Sequence, residues 1–187
     1  MRISGGVHRS RQLVSPRGSS TRPTSDRVRE ALFSILDSRG VIAGARIIDF
    51  YAGTGALGLE ALSRGAAFVQ FVDDGIEARA LLRQNVEVLG VAGTTRIFRR
   101  DATKLGAAHP VEPFGLAFAD PPYGGGLAEK ALASALYGGW LAQDALIVVE
   151  EAADAAFTAP DGLEEIERRR YDDSELIVMR RATVQTS

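Results

Sequence analysis

Short apolar runs alternate with stretches of helical periodicity along most of this chain, and this alternation limits the fold more than any other sequence feature. Strand character recurs at residues 45–50, 67–72, 95–99, 115–119 and 145–150, and helical spacing of apolar residues recurs at 25–38, 56–64, 76–89 and 127–137. Repeated strand–helix units build mainly parallel sheets. Two further strand-like runs, 163–170 and 175–181, have no helix between them, which predicts an antiparallel hairpin. The sequence therefore predicts an α/β fold with a doubly wound, mainly parallel, seven-stranded sheet.

Composition removes several classes of protein. The 187 residues contain no cysteine and two histidines, which excludes disulfides and thiolate sites and leaves too few imidazoles for an ordinary zinc site. No apolar run is long enough to span a bilayer, and the amino terminus lacks the apolar core of a signal peptide. We therefore expect a cytoplasmic protein that binds no metal and contacts no membrane. Composition does not fix the oligomeric state, and a monomer is the separate expectation.

Positive charge is concentrated near the amino terminus. Residues 1–39 hold eight arginines and three acidic residues, a net charge of +5, so the remainder carries −7 of the total of −2. Arginine neutralises phosphates, and a basic arm on an acidic body therefore favours a polyanion partner. We expect residues 1–24 to form a basic arm or small subdomain that contacts this polyanion, ahead of a main domain at 25–187. A solvated, arginine-rich tail is the alternative.

A glycine-rich turn follows the first predicted strand. Gly53, Gly55 and Gly58 match the G-x-G-x-x-G fingerprint of nucleotide-binding folds, and Asp73 ends the second strand, where a carboxylate can bind ribose hydroxyls. Asp49 lies four residues before Gly53, where its charge would repel a pyrophosphate but attract an amino or sulfonium group. These residues favour S-adenosylmethionine over a nicotinamide dinucleotide. Asp49 could alternatively serve only to hydrogen-bond the glycine turn.

An Asp-Pro-Pro-Tyr run follows the fourth predicted strand. Proline has no backbone N–H, so the carbonyls of Asp120 and Pro121 stay available to accept hydrogen bonds, and Tyr123 offers a flat face for stacking. Such a ledge suits a planar group that bears an amine, such as a nucleobase edge. Asp101, after the third strand, is placed to accept from the adenine amine of the cofactor or to cap the following turn. The carboxyl ends of parallel strands share one sheet edge, which is where such folds bind ligands.

Together these motifs resemble class I S-adenosylmethionine-dependent methyltransferases, which have a Rossmann-like fold, and more closely the bacterial 16S ribosomal RNA guanine-N2 methyltransferase family of the RsmD type. The motifs that carry the resemblance are Ile-Ser-Gly at 3–5, Arg-Pro-Thr at 22–24, the run at 26–33, the glycine turn at 49–55, Phe-Val-Asp at 71–73, Asp-Pro-Pro-Tyr at 120–123 and the run at 171–176. Two departures are Asp73-Asp74, where Glu-x-Asp is expected, and Tyr171-Asp172-Asp173, where Tyr-Gly-Asp is usual.

The resemblance implies methyl transfer from S-adenosylmethionine to the exocyclic N2 amine of a guanine in 16S rRNA, within an assembling 30S subunit. The candidate catalytic residues are Asp120, Pro121, Pro122 and Tyr123. The candidate cofactor-binding residues are Asp49, Gly53, Thr54, Gly55, Asp73, Asp101, Ala102 and, as the family suggests, Thr24. The candidate RNA-binding residues are Arg9, Arg11, Arg22, Arg27 and Arg29.

Other functions stay open at this stage. A DNA adenine-N6 methyltransferase would need a target-recognition domain for which this chain has no room, and protein-glutamine methyltransferases prefer Asn before Pro-Pro-Tyr. A nicotinamide-dependent oxidoreductase would explain the glycine fingerprint but not Asp49 or Asp120. A non-catalytic RNA-binding assembly factor would leave the complete set of motifs unused. Arg27 and Arg29 could also form salt bridges with Glu30 or Asp26 on a solvated helix face.

Overall fold

A computed structural model describes residues 1–16 and 25–183. Its strands are β1 Arg46–Phe50, β2 Phe68–Val72, β3 Thr95–Phe98, β4 Phe114–Ala119, β5 Leu141–Ala152, β6 Leu163–Tyr171 and β7 Ser174–Arg181. Its helices are α1 Asp26–Arg39, α2 Ala56–Ser63, α3 Ile76–Leu89 and α4 Leu127–Gly138, with 3-10 turns at Ala92–Thr94 and Ala102–Lys104. One seven-stranded sheet has the order β3-β2-β1-β4-β5-β7-β6, with β7 antiparallel to both of its neighbours. This confirms the predicted sheet and its closing hairpin.

The fifth strand is the element that differs most from the prediction. It begins at Leu141, four residues earlier than expected, and pairs there with Phe114 ahead of a bulge in β5 that shifts its register with β4. The polar pair Gln143 and Asp144 interrupts the apolar pattern at this bulge, which is why the sequence signal starts only at Ala145. The strand also continues past Glu150 to Ala152.

Two apolar clusters cover the two faces of the sheet because neighbouring strand residues point to opposite sides. Ile47 packs in the cluster beneath α1, α2 and α3, whereas Ile48 packs in the cluster beneath α4 that contains Trp140. Only the turn Ala102–Lys104 lies between β3 and β4, in a segment that the structure describes throughout. Because β1 to β5 run parallel, they end at one edge of the sheet, which we call the rim. The loops that follow these strands form the candidate site.

Helix α1 begins beside that rim. The hydroxyl of Ser25 accepts a hydrogen bond from the Val28 N–H at 3.2 Å, and Gly40 ends the helix in the left-handed conformation. Val28, Leu32 and other apolar residues at helical spacing are buried in the core. The buried face fixes the position of the amino end of α1 over the sheet.

The amino-terminal segment, residues 1–16, packs on the same face as α1. An antiparallel bridge pairs Arg2 with Gln12, and Ile3 and Leu13 are buried in the cluster beneath α1, α2 and α3. The structure describes residues 1–16 of the predicted arm. Within them, Ile3 and Leu13 belong to the main hydrophobic core.

Asn85 of α3 joins this segment to the glycine turn. The side chain is fully buried, and its Oδ1 accepts from the Val14 N–H at 2.7 Å. Its Nδ2 donates to the carbonyls of Val14 at 3.1 Å and Thr54 at 2.9 Å. One amide thus satisfies backbone groups of two separate loops.

Helix length bears on membrane insertion. The longest helices, α1 and α3, have 14 residues each. Across residues 1–16 and 25–183, no helix combines the length and apolar character needed to cross a bilayer.

Candidate active site

Asp49 lies near the end of β1, at the base of the loops that form the rim. Its side chain is buried, and Oδ2 accepts a hydrogen bond from the Gly58 N–H at 3.1 Å. Burial raises the pKa of Asp49 well above its usual range; the Gly58 hydrogen bond opposes this, and the charges of Asp120 and Asp73 add to it. The structure thus brings three of the predicted acids together. Asp49 also makes the contact with the glycine turn that the alternative interpretation required.

The glycine turn owes its shape to two close approaches. Gly55 has φ +81°, and a Cβ there would lie 2.3 Å from Leu82. A Cβ at Gly58 would lie 2.5 Å from the Phe71 ring, so this glycine lets α2 pack directly on β2. At Gly53 a Cβ would meet only the Tyr51 carbonyl, at 3.9 Å, so the turn leaves space on that side.

Asp73 connects the loops that follow β1 and β2. Its Oδ2 accepts from the Gly53 N–H at 2.9 Å, and its Oδ1 accepts from the Gly75 N–H at 2.8 Å. The residue is half-buried, so part of its surface stays accessible. Ribose binding by Asp73 stays a prediction. The hydrogen bonds from Gly53 and Gly75 fix the position of the carboxylate.

Asp101 begins the turn after β3. Its Oδ1 accepts from the Thr103 N–H at 2.8 Å and from the Thr103 hydroxyl at 2.7 Å, so it caps the turn Ala102–Lys104. These hydrogen bonds, the hydroxyl's first, lower the pKa of Asp101. The residue is half-buried and Ala102 is buried. Asp101 therefore has the capping role that the sequence analysis offered as one of two possibilities. The lowered pKa favours the ionised carboxylate, the form that would accept from adenine.

Tyr51 was not among the predicted site residues. Its φ of +57° lies in the left-handed region that bulky residues seldom occupy, and its hydroxyl donates to the Leu127 carbonyl at 3.0 Å. Burial, then the charges of Asp101 and Asp74, raises the pKa of Tyr51 to about 12. The ring therefore bridges the loop after β1 and the start of α4. Its position in the sequence, between the end of β1 and Gly53, is the feature that could have identified Tyr51 as a site residue.

The Asp-Pro-Pro-Tyr run forms the next part of the rim. Asp120 is half-buried, Pro121 is buried, and Pro122 and Tyr123 are exposed. The phenol oxygen of Tyr123 lies 3.4 Å from Oε1 of Glu150 on β5. A small cavity of about 70 Å³ opens beside it, between the amino end of α1 and the turn of the β6–β7 hairpin. Its lining residues are Ser25, Val28, Tyr123, Glu150, Tyr171, Asp172, Asp173 and Ser174.

Two adjacent acids on β5 also escaped the sequence analysis. Glu150 and Glu151 are both buried. Oε1 of Glu151 accepts from the Ala152 N–H at 2.9 Å; burial raises the pKa of Glu151, and hydrogen bonds from Ala152 and Gly124 oppose the shift. Glu151 thus holds the loop after Tyr123 in place through its hydrogen bond from Gly124, whereas Glu150 lines the cavity. The rule used for the other strand ends would have found Glu150.

Arg9 and Arg11 lie away from this rim. The His8 N–H donates to the Ser63 hydroxyl at 2.9 Å, which places the neighbouring Arg9 at the carboxyl end of α2. The glycine turn is at the other end of that helix, about 12 Å along its axis. Arg11 donates to the Val88 carbonyl at 2.7 Å, in the last turn of α3. Both arginines are exposed.

Arg29 is buried, with 2% of its surface exposed. Its Nη2 donates to the Arg2 carbonyl at 2.7 Å and to Asp26 at 3.0 Å, and its Nε lies 4.0 Å from Glu60. A phosphate cannot reach a guanidinium enclosed in this way. Arg29 therefore helps to attach the amino-terminal segment to α1. It also forms the salt bridge with Asp26 that the sequence analysis gave as the alternative to RNA binding.

Arg27 is the predicted RNA contact that the structure places next to the cavity. Its side chain is 75% exposed, and Nη1 lies 3.7 Å from a carboxylate oxygen of Asp172, which lines the cavity. An exposed pair of this kind is worth little in stability, so the guanidinium can exchange partners easily. Arg22 and Thr24 lie outside the described residues.

Several known proteins resemble this chain in sequence and in fold. The model of the family described as conserved hypothetical protein 95 matches residues 1–180. Ribosomal RNA small subunit methyltransferase D of Escherichia coli (strain K12) is 40% identical over 154 residues, which are 82% of this chain and 76% of that protein. The putative rRNA methyltransferase YlbH of Bacillus subtilis (strain 168) is 37% identical over 66% of this chain and 67% of its own length. The solved structure of the putative methyltransferase yhhF from Escherichia coli superposes with a TM-score of 0.83 at 35% identity, covering 97% of both chains.

Proposed function

The chain belongs to the family described as conserved hypothetical protein 95, and from this premise we propose that it uses S-adenosylmethionine to methylate ribosomal RNA of the small subunit. The family membership confirms the resemblance found in the sequence. We propose further that the acceptor is the exocyclic N2 amine of a guanine in 16S rRNA, within an assembling 30S subunit in the cytoplasm, and that the enzyme acts as a monomer.

The observation that carries the proposal is the group of acids around buried Asp49. Burial raises the pKa of Asp49 most, and the charges of Asp120 and Asp73 raise it further, so negative potential accumulates at the rim. Such a field favours a ligand with cationic groups and no phosphate. S-adenosylmethionine fits this donor set, because it carries an ammonium and a sulfonium group. Asp73 and Asp101 would hold its ribose and adenine, and the open side of Gly53 leaves room for it.

The cofactor supplies an electrophilic methyl group when it is bound. The protein's part is to orient an acceptor amine whose lone pair is delocalised into the base. The Asp120 carboxylate and the Pro121 carbonyl would accept its two N–H groups and so aim the lone pair. Such positioning can lower a barrier by roughly 7–11 kcal/mol. Tyr123, which is exposed, would stack on the base for about 1–3 kcal/mol.

Proton removal needs no strong base in this site. The amine becomes acidic only as its new bond forms, so water or the half-buried Asp120 can take the proton. The target base must leave its stack to reach the ledge. Arg27, beside the cavity, would hold a neighbouring phosphate, together with Arg22 as the sequence predicts.

The test is a methylation assay on 30S particles from a strain that lacks the enzyme. Purified protein and S-adenosylmethionine should produce N2-methylguanosine in digested 16S rRNA, detected by mass spectrometry. Asp120→Ala should abolish the product while calorimetry still detects cofactor binding. Glu112→Ala is the matched control, because Glu112 is an exposed acid whose partner, Arg46, begins β1 at the opposite sheet edge. Binding of NAD without S-adenosylmethionine would contradict the proposal.

A further inference from the structure

Glu150 occupies the position on β5 that matches Asp120 on β4. The parallel register pairs Ala119 with Val149, so the residues that follow them are neighbours at the carboxyl ends of adjacent strands. Adjacent strands lie about 4.8 Å apart, and residues at matched positions point to the same face. Glu150 therefore lies next to Asp120 along the rim.

The surroundings of Glu150 turn its carboxylate toward the cavity beside the ledge. The side chain is 5% exposed, lines that cavity, and lies 3.4 Å from the phenol oxygen of Tyr123. Its neighbour Glu151 has a different task, because its carboxylate accepts from the backbone of Ala152 and Gly124. A base stacked on Tyr123 and held by Asp120 would have Glu150 next to its edge.

We propose that Glu150 determines the choice of base by accepting the N1–H of guanine while Asp120 and Pro121 hold the N2 amine. This inference rests on the proposed function. Guanine presents two adjacent kinds of donor along this edge, N1–H and the N2 amine, and a carboxylate has acceptor oxygens only. Adenine and 2-aminopurine present a lone pair at N1, which would face a buried carboxylate with no hydrogen between them.

A buried acceptor of this kind discriminates strongly. A site built to hydrogen-bond one group rejects an analogue that lacks it, because the site's own polar atoms lose their partner when the analogue binds. The carboxylate therefore excludes a purine whose N1 is an acceptor, even when the purine carries an amine at C2. 2-Aminopurine is such a base, and it isolates the N1 contact from the methylated amine.

The experiment compares two substrates and three variants. Once the modified guanine has been mapped, 16S rRNA is assembled by splinted ligation with guanine or 2-aminopurine at that nucleotide and reconstituted into particles. We expect the wild-type protein to methylate guanine at least about 100-fold faster than 2-aminopurine. Glu150→Gln should reduce this ratio by about tenfold or more, because an amide can donate to N1. Glu150→Asp keeps the carboxylate and should keep the preference for guanine.

Glu151→Gln is the matched control, since it neutralises the adjacent buried acid. It should slow methylation of both bases alike and leave their ratio unchanged. An unchanged ratio in Glu150→Gln, with cofactor binding intact by calorimetry, would overturn the inference, as would an equal change in Glu151→Gln. Failure of the wild-type protein to form N2-methylguanosine on guanine particles would instead refute the proposed function itself.

Discussion

Replacing Glu60 with alanine should destabilise the protein by detaching the amino-terminal segment. Glu60 is fully buried on α2, and its carboxylate accepts from the Ser4 N–H at 2.8 Å, the Ser4 hydroxyl at 2.7 Å and the Gly5 N–H at 2.8 Å. It also accepts from Arg64 Nε at 2.8 Å and lies 4.0 Å from Nε of buried Arg29. One side chain therefore serves four donors and a second cation.

The size of the effect follows from burial. Removing one partner of a buried ion pair costs about 3–5 kcal/mol, because the remaining charge loses its compensation. A domain of this size loses about 2–4 °C in Tm per kcal/mol, so Glu60→Ala should lower Tm by roughly 6–20 °C. Glu60→Gln keeps an acceptor oxygen and loses the charge, and about 1.5–3 kcal/mol is expected. Both figures are large against a total stability of about 5–15 kcal/mol.

Urea unfolding, followed by circular dichroism, measures these differences directly. Hydrogen exchange reports the local effect, because the Ile3 N–H is bonded to the Arg11 carbonyl at 3.0 Å and should lose protection first. Glu30→Ala, an exposed acid on α1, is the control and should stay within about 0.5 kcal/mol of the wild type. If Glu60→Ala also stays within 0.5 kcal/mol, the buried network contributes no stability and the reasoning is refuted.

Three further changes test the site. Asp49→Asn should raise Tm by about 2–4 °C at neutral pH while weakening cofactor binding, because the ionised form of a group whose folded pKa is raised destabilises the fold. The gain should shrink as pH falls through the folded pKa of Asp49, since the wild type then takes up a proton; a constant gain would be inconsistent with the raised pKa. Gly58→Ala should cost about 1–3 kcal/mol in urea unfolding, since its Cβ would lie 2.5 Å from the Phe71 ring, and wild-type stability would show that the contact relaxes freely. Tyr51→Phe should remove one of four tyrosines from the ultraviolet titration, the one with a pKa of about 12, and an unchanged titration would assign that step elsewhere.

The sheet and its acidic rim were predictable because they depend on local patterns. Strand and helix periodicities set the order of elements, and parallel strands place the residues at their ends along one edge. Asp49, Asp73, Asp101 and Asp120 follow from that rule alone. Glu150 obeys the same rule, because the predicted fifth strand ends at that residue, although the observed strand continues to Ala152.

The placement of the arginines could not be predicted from their spacing. Arg29 is buried because Glu60, 31 residues away along the chain, lies within 4.0 Å of it. Arg9 stays a predicted RNA contact, and packing of Ile3 and Leu13 places it at the carboxyl end of α2, away from the rim. Both outcomes depend on contacts between distant segments, which net charge does not encode.

The amide of Asn85 joins the amino-terminal segment to the glycine turn, where the cofactor is proposed to bind. It bonds Val14 on one side and Thr54 on the other, so motion of either loop strains the same side chain. Thermodynamic coupling is reciprocal: a ligand that favours the bonded arrangement of the Thr54 loop favours attachment of the amino-terminal segment, and the attached segment favours that ligand by the same coupling free energy. Susceptibility of that segment to limited proteolysis should therefore fall as cofactor is added, without any label on either loop.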